Sequence, residues 1–256
     1  MGSAIRFQQI LGIRFMVANT QVAIDQILSD GGLLVVPSAP VLKNMASDNR
    51  CREAVLAADF AIADSGLMVL LWNILQLDNV SKLSGLKYLR SLVRHTEFRV
   101  PGASFWVMPS HDSARRNLAW LSENGIEVAD RDFYVAPLYD EAIADPELLR
   151  RLEERRPRNV VICLGGGTQE PLGLYLKQNL SYKPAIHCIG AAIAFLSGDQ
   201  VRIPVMVDEF GLGWLWRTMS HPRRYGPRYW EARSLVPLLI RYRDRLPSFD
   251  SPTLVA

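Results

Sequence analysis

Short apolar runs recur along the chain, separated by stretches in which apolar residues return every three or four positions. The runs Ile13–Val17, Leu33–Pro37, Phe60–Ala63, Ser104–Met108, Ile126–Ala129, Asn159–Leu164 and Ala185–Ile189 predict strands. The intervening stretches predict helices with recognisable starts. Asn19 or Thr20 caps one running through Leu28, and Asp112 or Ser113 caps another reaching about Asn124. Pro146 suits the first turn of a helix over Glu147–Arg156, and Gly66–Leu77 reads as a further helix. Alternating strands and helices predict an α/β fold: a Rossmann-like, mostly parallel sheet flanked by helices.

Composition narrows the class. The 256 residues are 49% hydrophobic and 21% charged, which supports a buried core and excludes a disordered or collagen-like chain. The cysteines Cys51, Cys163 and Cys188 are odd in number and lack C-x-x-C spacing, so a disulfide framework or zinc cage is not expected. The longest charge-free apolar stretches, 65–77 and 185–198, fall short of the about 18 residues that span a bilayer. Arg6 interrupts what would have to be a signal core, and position 6 also departs from a myristoylation motif. A soluble, cytoplasmic chain is expected.

Charge is unevenly placed. Between Gly211 and Arg245 lie eight arginines, no lysine and two acids, with Trp214, Trp216 and Trp230 among them. That segment carries +6, so the net +3 conceals an acidic remainder of −3. The expected organisation is an α/β body over 1–204 and a basic, aromatic, helical C-terminal appendage over 205–256. Arginine with tryptophan suits anionic headgroups and diphosphates. Nucleic-acid binding or a helical hairpin docked on the body uses the same residues.

Two places carry candidate chemistry. Asp64, in ADFAIADSG, emerges at the carboxyl end of an apolar strand, where open α/β sheets bind ligands. It reads either as a general base or, with Ser65, as a helix cap. CLGGGTQE places Gly165, Gly166 and Gly167 between a strand and a helix start, with Gln169 and Glu170 toward the same edge. It reads either as a cradle for phosphate or sugar or as a tight turn. It is neither a Walker loop nor a dinucleotide fingerprint, which disfavours a nucleotide-cofactor oxidoreductase. The D-x-D at Asp130–Asp132 carries little weight, and the four histidines lack metal-ligand spacing.

Together these pieces resemble the WecG/TagA/CpsF family of bacterial glycosyltransferases, glycosyltransferase family 26. ILGIRFMVANTQVAIDQIL is similar to the family's opening strand and helix, and ADFAIADSG to its A-D-x-x-x-x-D-G. LSGLKYL is similar to the T-G-x-D-L turn, CLGGGTQE to L-G-x-P-K-Q-E, and IGAAIAFLSGDQVRIP to G-x-x-F-D-F-x-x-G-x-x-x-R-A-P. GLGWLWRTMSHPRRYGPRY resembles the ending G-L-E-W-L-x-R-L-x-x-E-P-x-R.

The resemblance implies an inverting transferase, without metal or other cofactor, in envelope or exopolysaccharide biosynthesis. It moves a hexosyl or N-acetylhexosaminyl unit from a nucleotide-diphosphate sugar to a polyprenyl-pyrophosphate-linked acceptor. It implies Asp64 as the base. It also implies substrate contacts from Ser38, Lys82, Ser84, Gly85, Gly165, Gly166, Gly167, Gln169, Glu170, Arg202, Arg217, Arg223 and Arg224. The implied location is peripheral, at the inner face of the cell membrane on anionic lipid, with nucleic acid set aside and a homo-oligomer compatible.

The sequence departs from the pattern at several points. Thr-x-Asn becomes Val36-Pro37-Ser38, and the arginine before T-G-x-D becomes Lys82. The aspartate of that motif becomes Lys87, and a Gly pair becomes Pro109-Ser110. The lysine of P-K-Q-E becomes Thr168, and the aspartate of F-D-F becomes Ala194. The donor is thus open to differ from the family's usual N-acetylmannosamine-type sugar. The alternative reading is a relative that binds nucleotide sugar or lipid without turnover.

Overall fold

A computed structural model describes residues 5–139, 143–200, 213–223 and 233–249, with positions 207, 226 and 230. Within them eight strands form one sheet: β1 (Arg6–Ile10), β2 (Ile13–Val17), β3 (Gly32–Val35), β4 (Phe60–Ile62), β5 (Ser104–Met108), β6 (Phe133–Val135), β7 (Asn159–Ile162) and β8 (Ala185–Cys188). Their spatial order is β1-β2-β4-β3-β8-β7-β5-β6, with β1 antiparallel to β2 and every other neighbour parallel. The α/β, mostly parallel expectation holds.

The helices are α1 (Thr20–Asp30), α2 (Ala39–Asn44), α3 (Asn49–Leu56), α4 (Gly66–Gln76), α5 (Gly85–Leu92), α6 (His111–Glu123), α7 (Pro146–Arg155), α8 (Gln169–Asn179), α9 (Ala192–Ser197), α10 (Gly213–Ser220) and α11 (Leu235–Tyr242). Several begin on a side chain that accepts an otherwise orphaned backbone N–H. Asn19 accepts from Val22, Ser65 from Met68, Ser84 from Lys87, Ser110 from Ser113 and Asp145 from Leu148.

Strands β3, β5, β7 and β8 are buried along their whole length, as a parallel sheet covered on both faces requires. One face packs α2, α3, α4, α7, α8 and α11; the other packs α1, α5, α6 and α9. Steps along the sheet from β2 to β3 and from β5 to β6 run one way and place their helices on the second face. Steps from β3 to β4, β6 to β7 and β7 to β8 run the other way with helices on the first. A single crossover hand produces this pattern.

Two strands differ from the sequence expectation. The segment 126–129 forms no strand; the ladder begins at Phe133, after a 3-10 turn over Asp130–Asp132, and pairs Phe133–Val135 with Trp106–Met108. Asp132 sets that entry, because its buried carboxylate is held by Arg155 at 2.6 Å. Strand β1 was not expected from its polar, largely exposed RFQQI. It is joined to β2 through Leu11 and Gly12, both at positive φ, which is the two-residue primed turn that suits a hairpin.

Helix α11 docks on the body. Leu235 and Leu239 are buried in the first core, and the N–H groups of Leu11 and Gly12 donate to the carbonyls of Arg243 and Asp244. Arg52 closes the contact by donating to the Pro247 carbonyl at 2.6 Å.

Candidate active site

After β3 the chain turns onto the first face with α2; after β8 it turns onto the second with α9. The carboxyl ends of these adjacent strands are therefore a topological switch point, where open α/β sheets bind ligands in a crevice. Asp64, Ser38, the 189–190 turn and the glycine turn of 165–167 follow β4, β3, β8 and β7, four neighbours in the sheet.

Asp64 follows β4 and is half-buried. The two sequence readings of this position separate, because Ser65 caps α4 through the N–H of Met68. The Asp64 carboxylate instead accepts the backbone N–H of Gly85 at 3.0 Å. The N–H of Leu83 donates to the Ala63 carbonyl at 3.1 Å, which lays the chain leading into α5 against the end of β4. Lys82 and Ser84 are brought beside Asp64 by that contact. Ser84 is buried and caps α5 through Lys87, whereas the Lys87 side chain is exposed. A Cβ on Gly85 would lie 3.3 Å from Val36 Cγ1 and 3.6 Å from the Ile189 carbonyl oxygen. Glycine therefore lets the positive end of α5 enter the crevice.

Ser38 occupies the cap position of α2 without bonding its first amides. A Cβ on Gly166 would stand 3.8 Å from the Ser38 hydroxyl and only 2.9 Å from Val41 Cγ2, so the glycine turn rests directly on α2. Gly167 adopts φ +92°, in the region that favours glycine. Gly165 faces open space.

Gln169 and Glu170 are buried at the start of α8, 3% and 0% exposed. Gln169 Oε1 accepts the N–H of Gly190 at 2.6 Å, and its Nε2 donates to Glu170 Oε1 at 3.0 Å. Glu170 Oε2 accepts the N–H of Gly167 at 2.7 Å. Both side chains thus bond backbone and each other. Gly190 is the glycine of the segment similar to G-x-x-F-D-F but was not among the expected site residues; its φ is +62°.

Of the C-terminal arginines, Arg202 and Arg224 lie outside the described residues. Arg217 belongs to α10, and Arg223 is exposed just beyond it. Trp216 and Trp230 are also exposed, and Arg233 lies over the Trp230 ring at 4.0 Å.

Other chemistry is poorly placed. Burial pushes all three thiols up, Cys51 to about 12, and the charge of Glu170 adds to the shift at Cys51 and Cys188. They remain protonated thiols. Burial pushes His187 down to about 3; its ring lies between the Tyr88 hydroxyl at 2.9 Å and Asn159 Oδ1 at 3.3 Å, inside the core. The D-x-D precedes β6, at the sheet edge opposite the crevice, and its Asp132 is paired with Arg155. No group of three or more His, Cys, Asp or Glu is placed to hold a metal among the described residues.

A half-buried carboxylate held at a helix start beside a glycine-lined crevice can take a proton from a hydroxyl nucleophile. Comparison with known proteins identifies the family. Residues 8–248 match the model of the glycosyl transferase WecG/TagA/CpsF family. A similar protein is the N-acetylglucosaminyldiphosphoundecaprenol N-acetyl-beta-D-mannosaminyltransferase of Bacillus spizizenii. It is 24% identical over 199 residues, covering 76% of this chain and 74% of that one. The chain belongs to the WecG/TagA/CpsF family and is a glycosyltransferase.

Proposed function

We propose that this enzyme transfers an N-acetylhexosaminyl unit, with inversion, from a nucleotide-diphosphate sugar to a hydroxyl of a polyprenyl-diphosphate-linked sugar. The observation that carries the reading is Asp64, at the switch-point crevice and ordered by the Gly85 N–H. As the acceptor oxygen bonds to the anomeric carbon, Asp64 takes its proton. The bond between that carbon and the diphosphate breaks, and the diphosphate leaves with the electron pair. The leaving charge needs donors, and Arg202, Arg217, Arg223 and Arg224 supply them in place of a metal. The acceptor is lipid-linked in the relative's name, which supports the same class of acceptor here.

The same C-terminal segment is the contact with anionic lipid at the cytoplasmic membrane face. No helix among the described residues is long and apolar enough to cross a membrane, so the association is peripheral in this reading. Exposed Trp216 and Trp230, with the surrounding arginines, suit an interface of headgroups and acyl chains.

The direct test incubates the purified chain with UDP-N-acetylmannosamine and a short-chain prenyl-diphosphate N-acetylglucosamine, following a disaccharide product by mass spectrometry. A panel of other nucleotide N-acetylhexosamines addresses the donor. Product with any donor supports the reading; donor binding without product from any of them leaves a binding protein instead. Flotation with phosphatidylglycerol vesicles tests the membrane contact, and Arg223→Glu weakens it in this reading. Equal flotation of that variant, or a steeply salt-dependent affinity for DNA without vesicle binding, argues against it.

A further inference from the structure

We propose that Gln169 and Glu170 are positioning residues, which tie the two glycine turns at the crevice together so that the turns' backbone, rather than these side chains, receives the donor. The inference rests on the glycosyltransferase reading of the same crevice.

The geometry is a relay of three hydrogen bonds joining the exits of β7 and β8. The Gly190 N–H donates to Gln169 Oε1, Gln169 Nε2 donates to Glu170 Oε1, and the Gly167 N–H donates to Glu170 Oε2. Each donor meets an acceptor, and the order is directional. Both glycines have positive φ and gain no rigidity from a side chain, so the relay fixes what glycine leaves loose. The carboxylate also occupies the start of α8, where a phosphate would otherwise sit, and it engages the Gly167 amide. The Gly167 amide is thus already committed to Glu170 rather than to a diphosphate. The turn is thereby suited to the uncharged part of the donor, with Gly165 and Ser38 beside it and the diphosphate held elsewhere.

The directionality supplies the test. In Glu170→Gln, the new carbonyl oxygen can accept from Gly167, but its amide then faces the Gln169 amide, donor against donor. Turning Gln169 over only moves the conflict to Gly190. Combining Gln169→Glu with Glu170→Gln removes it. The carboxylate introduced at position 169 would accept from Gly190 and from the amide introduced at position 170. The carbonyl oxygen of that new amide would in turn accept from Gly167.

Donor KM and kcat are measured for wild type, Glu170→Gln and the exchanged pair, with direct titration of UDP-N-acetylmannosamine. A buried unpaired donor predicts that Glu170→Gln raises donor KM by about tenfold or more. The exchanged pair is expected to return KM to within about threefold of wild type, the three bonds of the relay having been restored. A merely structural role would reduce the amount of active enzyme and leave KM unmoved, which overturns the proposal. So does an exchanged pair as impaired in KM as the single variant, since that is the behaviour of side chains touching the donor. If Glu170→Gln does not fold, the exchanged pair alone decides by the same criterion. Wild type that neither binds nor turns over any nucleotide sugar overturns the underlying reading, a result separate from failed rescue.

Discussion

The carboxylate of Asp64 accepts the backbone N–H of Gly85 across 21 residues of sequence, at 3.0 Å. The bond fixes the depth of α5 in the crevice and sets the positive end of that helix against the carboxylate. The second carboxylate oxygen has no partner among the described residues.

Asp64→Asn separates these two duties. The asparagine oxygen can still accept from Gly85, so fold and donor affinity are expected to stay within about threefold of wild type. Without a base, kcat should fall by about 10² to 10⁴. Steady-state transfer with parallel donor titration checks both. Transfer at the wild-type rate would remove Asp64 from the role.

The sequence made the buried strands legible because β3, β5, β7 and β8 are apolar runs, and Asn19 made the start of α1 legible by capping it; α6, by contrast, starts on Ser110 rather than on the expected Asp112 or Ser113, which lie inside its first turn. Strand β1 was not legible: its exposed, polar residues carry no core signal, and only pairing with β2 orders them. At positions 126–129 the apolar alternation was real, and Ile126 is buried, yet the backbone joins no ladder there: the Ile126 N–H donates to the Leu121 carbonyl and the Ala129 carbonyl accepts from Asp132. Asp64 was visible as a residue at a strand end. Its bond to Gly85 was not, since contacts between distant segments leave no periodic trace. Gln169 and Glu170 were visible as polar residues after a glycine turn, but their burial depends on α8 packing against β8.

Glycines at the crevice and behind it should respond differently to alanine. Gly165 faces open space, so Gly165→Ala is expected to leave stability unchanged while lowering donor affinity if the sugar lies against the turn. Gly173 sits where α8 crosses the sheet, and a Cβ there would lie 2.6 Å from Cys188 Sγ and 2.7 Å from Leu33 Cδ1. Gly173→Ala should cost about 1–3 kcal/mol through overpacking. Urea unfolding and donor titration of the two variants distinguish the effects. A Gly165→Ala variant that binds donor normally would place the sugar away from this turn.

The C-terminal segment cannot be removed as a detachable arm. Leu235 and Leu239 are buried in the first core, and Leu239→Ala should cost about 2–5 kcal/mol. Deleting 211–256 is therefore expected to lower thermal stability together with any vesicle binding, whereas arginine-to-glutamate changes near Arg223 should lower binding alone. A deletion variant with an unchanged Tm would mean that α11 contributes little to the core.

His187 gives the fold a pH dependence of defined sign. Burial holds its folded-state pKa down to about 3, while an exposed histidine titrates near 6.5. Below about pH 6.5 the unfolded chain binds a proton that the folded one refuses, so stability falls with decreasing pH until about pH 3 and is fully present above 6.5. The slope approaches about 1.4 kcal/mol per pH unit for this one group. Between pH 7 and 5 most carboxylates stay ionised, and the other histidines are common to any His187 variant. His187→Gln should be less stable at pH 7, because it disturbs the contacts to Tyr88 and Asn159, but its stability should fall less steeply on acidification. Urea unfolding of both proteins at pH 7, 6 and 5 reads the difference. Parallel lines would mean that His187 takes up its proton in the folded core, and that Tyr88 and Asn159 rearrange to accept it.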